Sequence, residues 1–118
     1  MKLELKNPPR VFAVGKRKHI NISDCGNIHL DPDEQVTFVN EKGQECDVVA
    51  KSWGYYITPS INSRLLKQGY KTAITRNSQG RLYVKVVDKD CVKEFEEYIR
   101  SENSEIIEWL DEREQARE

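Results

Sequence analysis

The spacing of turn signals constrains this chain most. In its first half, residues that tolerate tight turns recur about every ten positions, at Asp24-Cys25-Gly26-Asn27, Asp31-Pro32-Asp33 and Asn40-Glu41-Lys42-Gly43. Between them apolar and polar residues alternate. Ile20 and Ile22 share one face against His19 and Asn21, and Val36 and Phe38 keep the same period. Val11-Phe12-Ala13-Val14 is a compact apolar run after Pro8-Pro9, and Ile28-His29-Leu30 and residues 45–51 complete the series. Short alternating segments broken at this interval predict an antiparallel meander.

The second half changes period. Thr58 reads as a helix N-cap with Pro59 at the first helical position. Ile61, Leu65 and Leu66 then form an apolar face, and Gly69 ends the helix. Residues 71–76 and 81–87 read as strands joined by the hairpin turn Asn77-Ser78-Gln79-Gly80, with Leu82, Val84 and Val86 toward the core and Arg81, Tyr83 and Lys85 away from it. Asp90 is the expected cap of a helix carrying Val92, Phe95 and Ile99. That helix continues or restarts at Ser104 with a second stripe of Ile106, Ile107, Trp109 and Leu110. The expected fold is α+β: an antiparallel sheet of about five to seven short strands, one central helix, and a C-terminal helix or helix pair. The length of 118 residues suits one domain over 1–111, with 112–118 a frayed acidic tail.

Several function classes lack their residues. No stretch approaches the roughly 20 apolar residues of a membrane span, and Met1-Lys2-Leu3-Glu4-Leu5-Lys6 has no apolar signal core, so a cytoplasmic location is expected. Cys25, Cys46 and Cys91 are widely spaced with no CxxC pair. They read as reduced, half-buried small hydrophobes rather than zinc ligands with His19 and His29. No nucleophile elbow, dinucleotide fingerprint or phosphate-binding loop occurs. No metal, no cofactor and no catalytic residue are expected, and the reading leans away from an enzyme.

The charge is uneven. The net charge of −1 conceals a run from 48 to 87 with no Asp or Glu, in a chain that has 20 of them; the same run carries Lys51, Arg64, Lys67, Lys71, Arg76, Arg81 and Lys85. Such asymmetry marks either an anion-binding face or a basic segment neutralised by the acidic C-terminal region. Within the run, Trp53, Tyr55 and Tyr56 precede Thr58, Ser60, Asn62 and Arg64 at the expected helix start. A helix N-terminus offers free N–H groups to an anion, Arg64 a planar fork, and the aromatics a surface on which a sugar or base can stack. The expected contacts are Tyr55, Tyr56, Thr58, Ser60, Asn62, Arg64 and Arg76. The competing reading is ordinary core and capping. A pI near 6.2 argues against a dedicated nucleic-acid binder.

The run from Glu45 to Leu65, together with Glu34-Gln35-Val36-Thr37-Phe38 and Trp109-Leu110-Asp111, resembles a family of small uncharacterised bacterial proteins encoded among cell-envelope polysaccharide biosynthesis genes. The resemblance transfers no activity. It implies a setting of sugar nucleotides, lipid-linked sugars and glycan enzymes. Cys46 and Ala50 stand where that pattern implies a Tyr and an Arg.

The expectation is a non-catalytic binding or accessory protein that recognises a phosphate- or sugar-bearing ligand, with an anionic small molecule or a glycan enzyme as partner. The alternatives are a small enzyme acting on a sugar nucleotide, with His19, His29 or a Tyr as acid–base, and a protein or nucleic-acid adaptor. The stripe from Ile106 to Leu110 serves the core or a homo-oligomer interface.

Overall fold

A computed structural model describes residues 1–114; the last four positions of the expected acidic tail, 115–118, lie outside the described residues. Among the described residues, eight strands form three sheets, accompanied by two α-helices. The chain divides into two compact units, residues 1–36 with 48–56, and residues 37–47 with 57–118.

In the first unit, β1 (Lys2–Val14) pairs antiparallel with β2 (Ile20–His29) as a two-stranded ribbon. The expected turn at Asp24-Cys25-Gly26-Asn27 is not a turn. It lies inside β2, opposite the point where the register shifts between Leu5↔Gly26 and Arg10↔Asp24. The extra residues of β1 bulge there around Pro8-Pro9, and proline cannot donate to a ladder. Gly26 permits the close approach: a Cβ on it would stand 2.2 Å from the Glu4 carbonyl oxygen. Asp24 ties the bulge down, accepting from Lys6 Nζ at 2.5 Å and from Arg10 at 3.3 Å. The Lys6 hydrogen bond leads in holding the Asp24 carboxyl below its ordinary value.

A second sheet runs in the order β3 (Gln35–Val39), β4 (Glu45–Lys51), β5 (Gly54–Ile57). The turn that leads into β3 and the turn between β3 and β4 are where the sequence puts them, whereas β5 and the turn at 52–53 before it were not expected. Asp33 takes φ +69 in the first, and Asn40 accepts from Gly43 N at 3.0 Å in the second.

The second unit holds the buried apolar residues other than Ala50. α1 (Arg64–Lys67) is a single turn packed against β6 (Tyr70–Arg76). β7 (Leu82–Asp88) and β8 (Glu105–Trp109) flank β6, giving the order β7-β6-β8. The Asn77 to Gly80 hairpin forms as the sequence predicts, with Gly80 at φ +81. A 3₁₀ turn, Lys89–Cys91, leads into α2 (Val92–Ser101). Asp88 caps the 3₁₀ turn, accepting from Asp90 N, and the N-cap of α2 is Cys91 rather than Asp90, with no side-chain capping bond. The centre of the sheet is covered on both faces: Thr72, Ala73 and Thr75 of β6, Val87 of β7, Ile99 of α2 and Leu65 of α1 are all buried.

The expected second C-terminal helix is instead strand β8, followed by a 3₁₀ turn, Leu110–Glu112. The stop lies in front of it. Asn103 adopts φ +52, its N–H reaches the Arg100 carbonyl, and Ser104 N reaches the Ile99 carbonyl, which closes α2 in a Schellman motif. Trp109, Glu108, Ile106 and Glu105 then pair with Ala73, Ile74, Thr75 and Arg76 of β6, and Ile107 is the extra residue at the register shift between Ile74 and Thr75. The 3₁₀ turn delivers Asp111 into the core. Its carboxylate, 2% exposed, accepts from Lys71 Nζ at 2.7 Å and from the Thr72 backbone N–H at 2.9 Å.

The faces of β7 are reversed from expectation. Lys85 stands over the ring of Tyr98 on α2, and Val87 is buried, so Tyr83, Lys85 and Val87 form the helix side. Leu82 and Val84 are exposed. The helix is short and its apolar stripe covers the end of the strand nearer Val87.

Candidate functional site

The expected contact residues fall in two units, and each unit stands by itself. In the first, Tyr55 and Tyr56 lie on β5 beside Trp53. All three are exposed, and the Trp53 and Tyr56 rings stack at 5.8 Å between centroids. Lys51 there is paired with Asp33.

In the second unit, Thr58, Ser60, Asn62 and Arg64 do not build a helix N-terminus. Residues 58–63 are bends and turns, and α1 is only four residues long. Such a helix has almost no aligned dipole to offer an anion. Ser60 Oγ is occupied, accepting from Arg64 N at 3.1 Å, and Asn62 donates to the Glu114 carbonyl at 2.6 Å. Arg64 donates to Thr58 Oγ1 at 3.2 Å and lies 4.0 Å from Asp47. The small cleft beside it, about 80 Å³, is lined by Glu45 and Asp47 as well. Two carboxylates at the mouth oppose an anionic ligand.

Two further cations of the basic run in this unit meet acids. Arg76 donates through Nε and Nη2 to Glu105 at 2.9 and 2.6 Å, and Lys71 bridges Asp111 and Glu112. The C-terminal acids thus pair with two cations of the acid-free run, Lys71 and Arg76, from a strand and a 3₁₀ turn rather than from a helix. Lys85 is held differently. Its ammonium lies over the rings of Tyr83 at 5.2 Å and Tyr98 at 5.8 Å, with no carboxylate partner among the described residues.

The candidate acid–base groups are poorly placed for catalysis. His19 is exposed, and His29 meets Glu4 on the exposed ribbon. Cys46 is half-buried, and burial first, then Asp47, pushes its thiol pKa up, away from a reactive thiolate. Cys91 is half-buried as expected, whereas Cys25 is exposed. Among the described residues no group of three or more His, Cys, Asp or Glu side chains is placed to hold a metal ion, and no helix is long and apolar enough to cross a membrane.

A further concavity lies elsewhere in the second unit, a groove of about 410 Å³ between β7 and α2. Its strand wall is the unbroken run 84–88. Its helix wall is Cys91, Glu94, Phe95 and Tyr98. Side chains of a strand alternate between faces, so five successive residues line one groove only where backbone takes part in the wall. β7 is an outer strand, and its edge is unpaired. The helix residues follow the i, i+3, i+4, i+7 spacing of one face. That spacing is readable in the sequence, where only Val92, Phe95 and Ile99 stand out as the apolar face. The groove is polar at its ends: Glu94 and Asp88 toward the start of α2, and Lys85 beside Tyr98 at the other. Asp88 is held below its ordinary carboxylate value, first by the Lys42 hydrogen bond at 2.7 Å.

Comparison of the chain with protein-family models, with curated proteins and with solved structures returns no match.

Proposed function

We propose that this protein is a non-catalytic binding module whose recognition surface is the groove between β7 and α2. The groove itself carries the reading. It is open and mostly apolar, with a few charged groups at fixed places, and it sits on a strand and a helix anchored to the core through Val87 and Ile99. Titration of the isotopically labelled protein with indole, p-cresol and short capped peptides, followed by amide NMR, tests it. The expected shifts cluster at residues 84–88 and 91–98. Shifts confined to other residues would reject the groove as the site.

A second reading keeps the sugar- or phosphate-bearing ligand of envelope-glycan synthesis. The exposed, stacked pair Trp53–Tyr56 favours it, because two flat rings in contact with solvent suit a sugar face. A thermal-shift screen with sugar nucleotides and unsubstituted sugars tests it. Saturation at a hundred times Kd stabilises by about 2.7 kcal/mol. No stabilisation by any of them, or the same stabilisation in W53A, would set this reading aside.

A further inference from the structure

The groove's walls specify what fits between them. Along β7, the run from Val84 to Asp88 spans roughly 13 Å at about 3.3 Å per residue. From Cys91 to Tyr98 the helix wall rises about 10 Å at 1.5 Å per residue. The slot is therefore about four extended residues long. One wall is the strand's outward N–H and C=O groups, which nothing in the sheet pairs. A ligand that satisfies alternating backbone donors and acceptors is another backbone in extended conformation.

The charges set its order. Lys85 lies at the Tyr98 end with its ammonium over two tyrosine faces and no carboxylate partner among the described residues. Glu94 lies one helical turn earlier, beside Asp88 and Cys91. Between them Phe95 supplies an apolar floor. Asp88 is already engaged by Lys42, which leaves Glu94 as the acidic group free to face a ligand at that end.

We propose that the groove takes an extended peptide segment of a partner protein as an added strand on β7. The segment pairs antiparallel, as both neighbouring pairs in this sheet do, and its groove-facing positions read basic, apolar, acidic from the amino end. The acidic side chain meets Lys85, the apolar one meets Phe95, and the basic one meets Glu94. This rests on the groove reading above and adds to it the partner's chemistry and the mode of attachment.

The test uses the whole chain and a fluorescent, capped peptide in which lysine, valine and aspartate occupy alternate positions in that order, with threonine between and at both ends. Fluorescence anisotropy gives the affinity and amide NMR the location. The expected result is binding with shifts along 84–88. Methylation of the peptide nitrogens that face β7 abolishes it, and K85E weakens it about tenfold. Replacing the peptide's aspartate by lysine restores affinity to K85E, an exchange that a misfolded variant would not show. Equal binding of the N-methylated peptide, or indifference to charge order, would overturn strand addition while the groove reading stands. If indole and p-cresol occupy the groove and no peptide does, Lys85 only guards an exposed edge, and the inference fails alone. If nothing binds at residues 84–98, both fail.

Discussion

The β1–β2 ribbon and the β6–β7 pair are both antiparallel, both draw on alternating apolar and polar residues, and both close through connections of five residues, 15–19 and 77–81. They differ in what covers them. β1 runs for 13 residues and buries none of them, and Leu3, Leu5 and Val11 remain exposed. β6 runs for seven and buries Thr72, Ala73 and Thr75. A two-stranded ribbon can cover at most one of its faces with its own side chains, and alone it is marginal in water. β6 has a strand on each side, α1 against it, and α2 over the sheet. Alternation therefore says which residues share a face. A third strand and a helix decide whether that face becomes core.

That contrast predicts unequal sensitivity. The largest effect belongs to D111A, which leaves the Lys71 ammonium and the Thr72 N–H without their buried acceptor. A loss of about 3–5 kcal/mol is expected in urea unfolding followed by Trp109 fluorescence in a W53F background. A loss below about 1 kcal/mol would mean that the ion pair is not part of the core. The same pair predicts an alkaline limit. Burial, the largest single influence, pushes Lys71 down, but its hydrogen bonds with Asp111 and Glu112 more than restore it, and the pKa is raised above 10.5. A raised lysine stabilises fully below its ordinary value and loses that contribution as pH climbs through the folded one. Stability should thus fall above about pH 10.5 in the parent, and more gently in D111A.

Next in size is L65A, since Leu65 is fully buried beneath α1. It should cost about 3 kcal/mol by the same assay. T72V has the opposite sign. The Thr72 hydroxyl is buried without a hydrogen-bond partner among the described residues. Replacing it with a methyl of similar size should raise the urea midpoint, by about 1 kcal/mol in stability. The smallest effect is on the ribbon. L5T changes a residue that is 71% exposed and should alter global stability by less than about 0.5 kcal/mol. A larger loss would show that something covers this ribbon in solution.

The turns were the most legible part of the fold. Asn40 to Gly43 and Asn77 to Gly80 carry Asn and Gly at positions that need them, and Asn77 Oδ1 accepts from Gln79 N and Arg81 N within its own turn. The α+β class and the helix carrying Phe95 and Ile99 were legible for the same local reasons. The C-terminal strand was not. Ile106, Ile107, Trp109 and Leu110 match helical spacing as well as they match a short buried strand, and five residues are too few for periodicity to decide. Asn103 was the available signal, an αL stop placed before the ambiguous run. The acid-free segment drew attention to Arg64 and Arg76, but Asp47 and Glu105 are distant in sequence and local composition cannot show that they are near. The groove was hidden for a related reason: one of its walls is backbone, which carries no residue code.

The central claim is that ligand recognition belongs to the β7 edge and not to the basic segment. Parallel amide NMR titrations with the lysine–valine–aspartate peptide and with inorganic phosphate compare the two directly. The account predicts that the peptide shifts residues 84–88 and 91–98 while phosphate leaves Thr58, Ser60, Asn62, Arg64 and Arg76 in place. Saturable phosphate shifts at those five residues, with the β7 edge silent to the peptide, would contradict it.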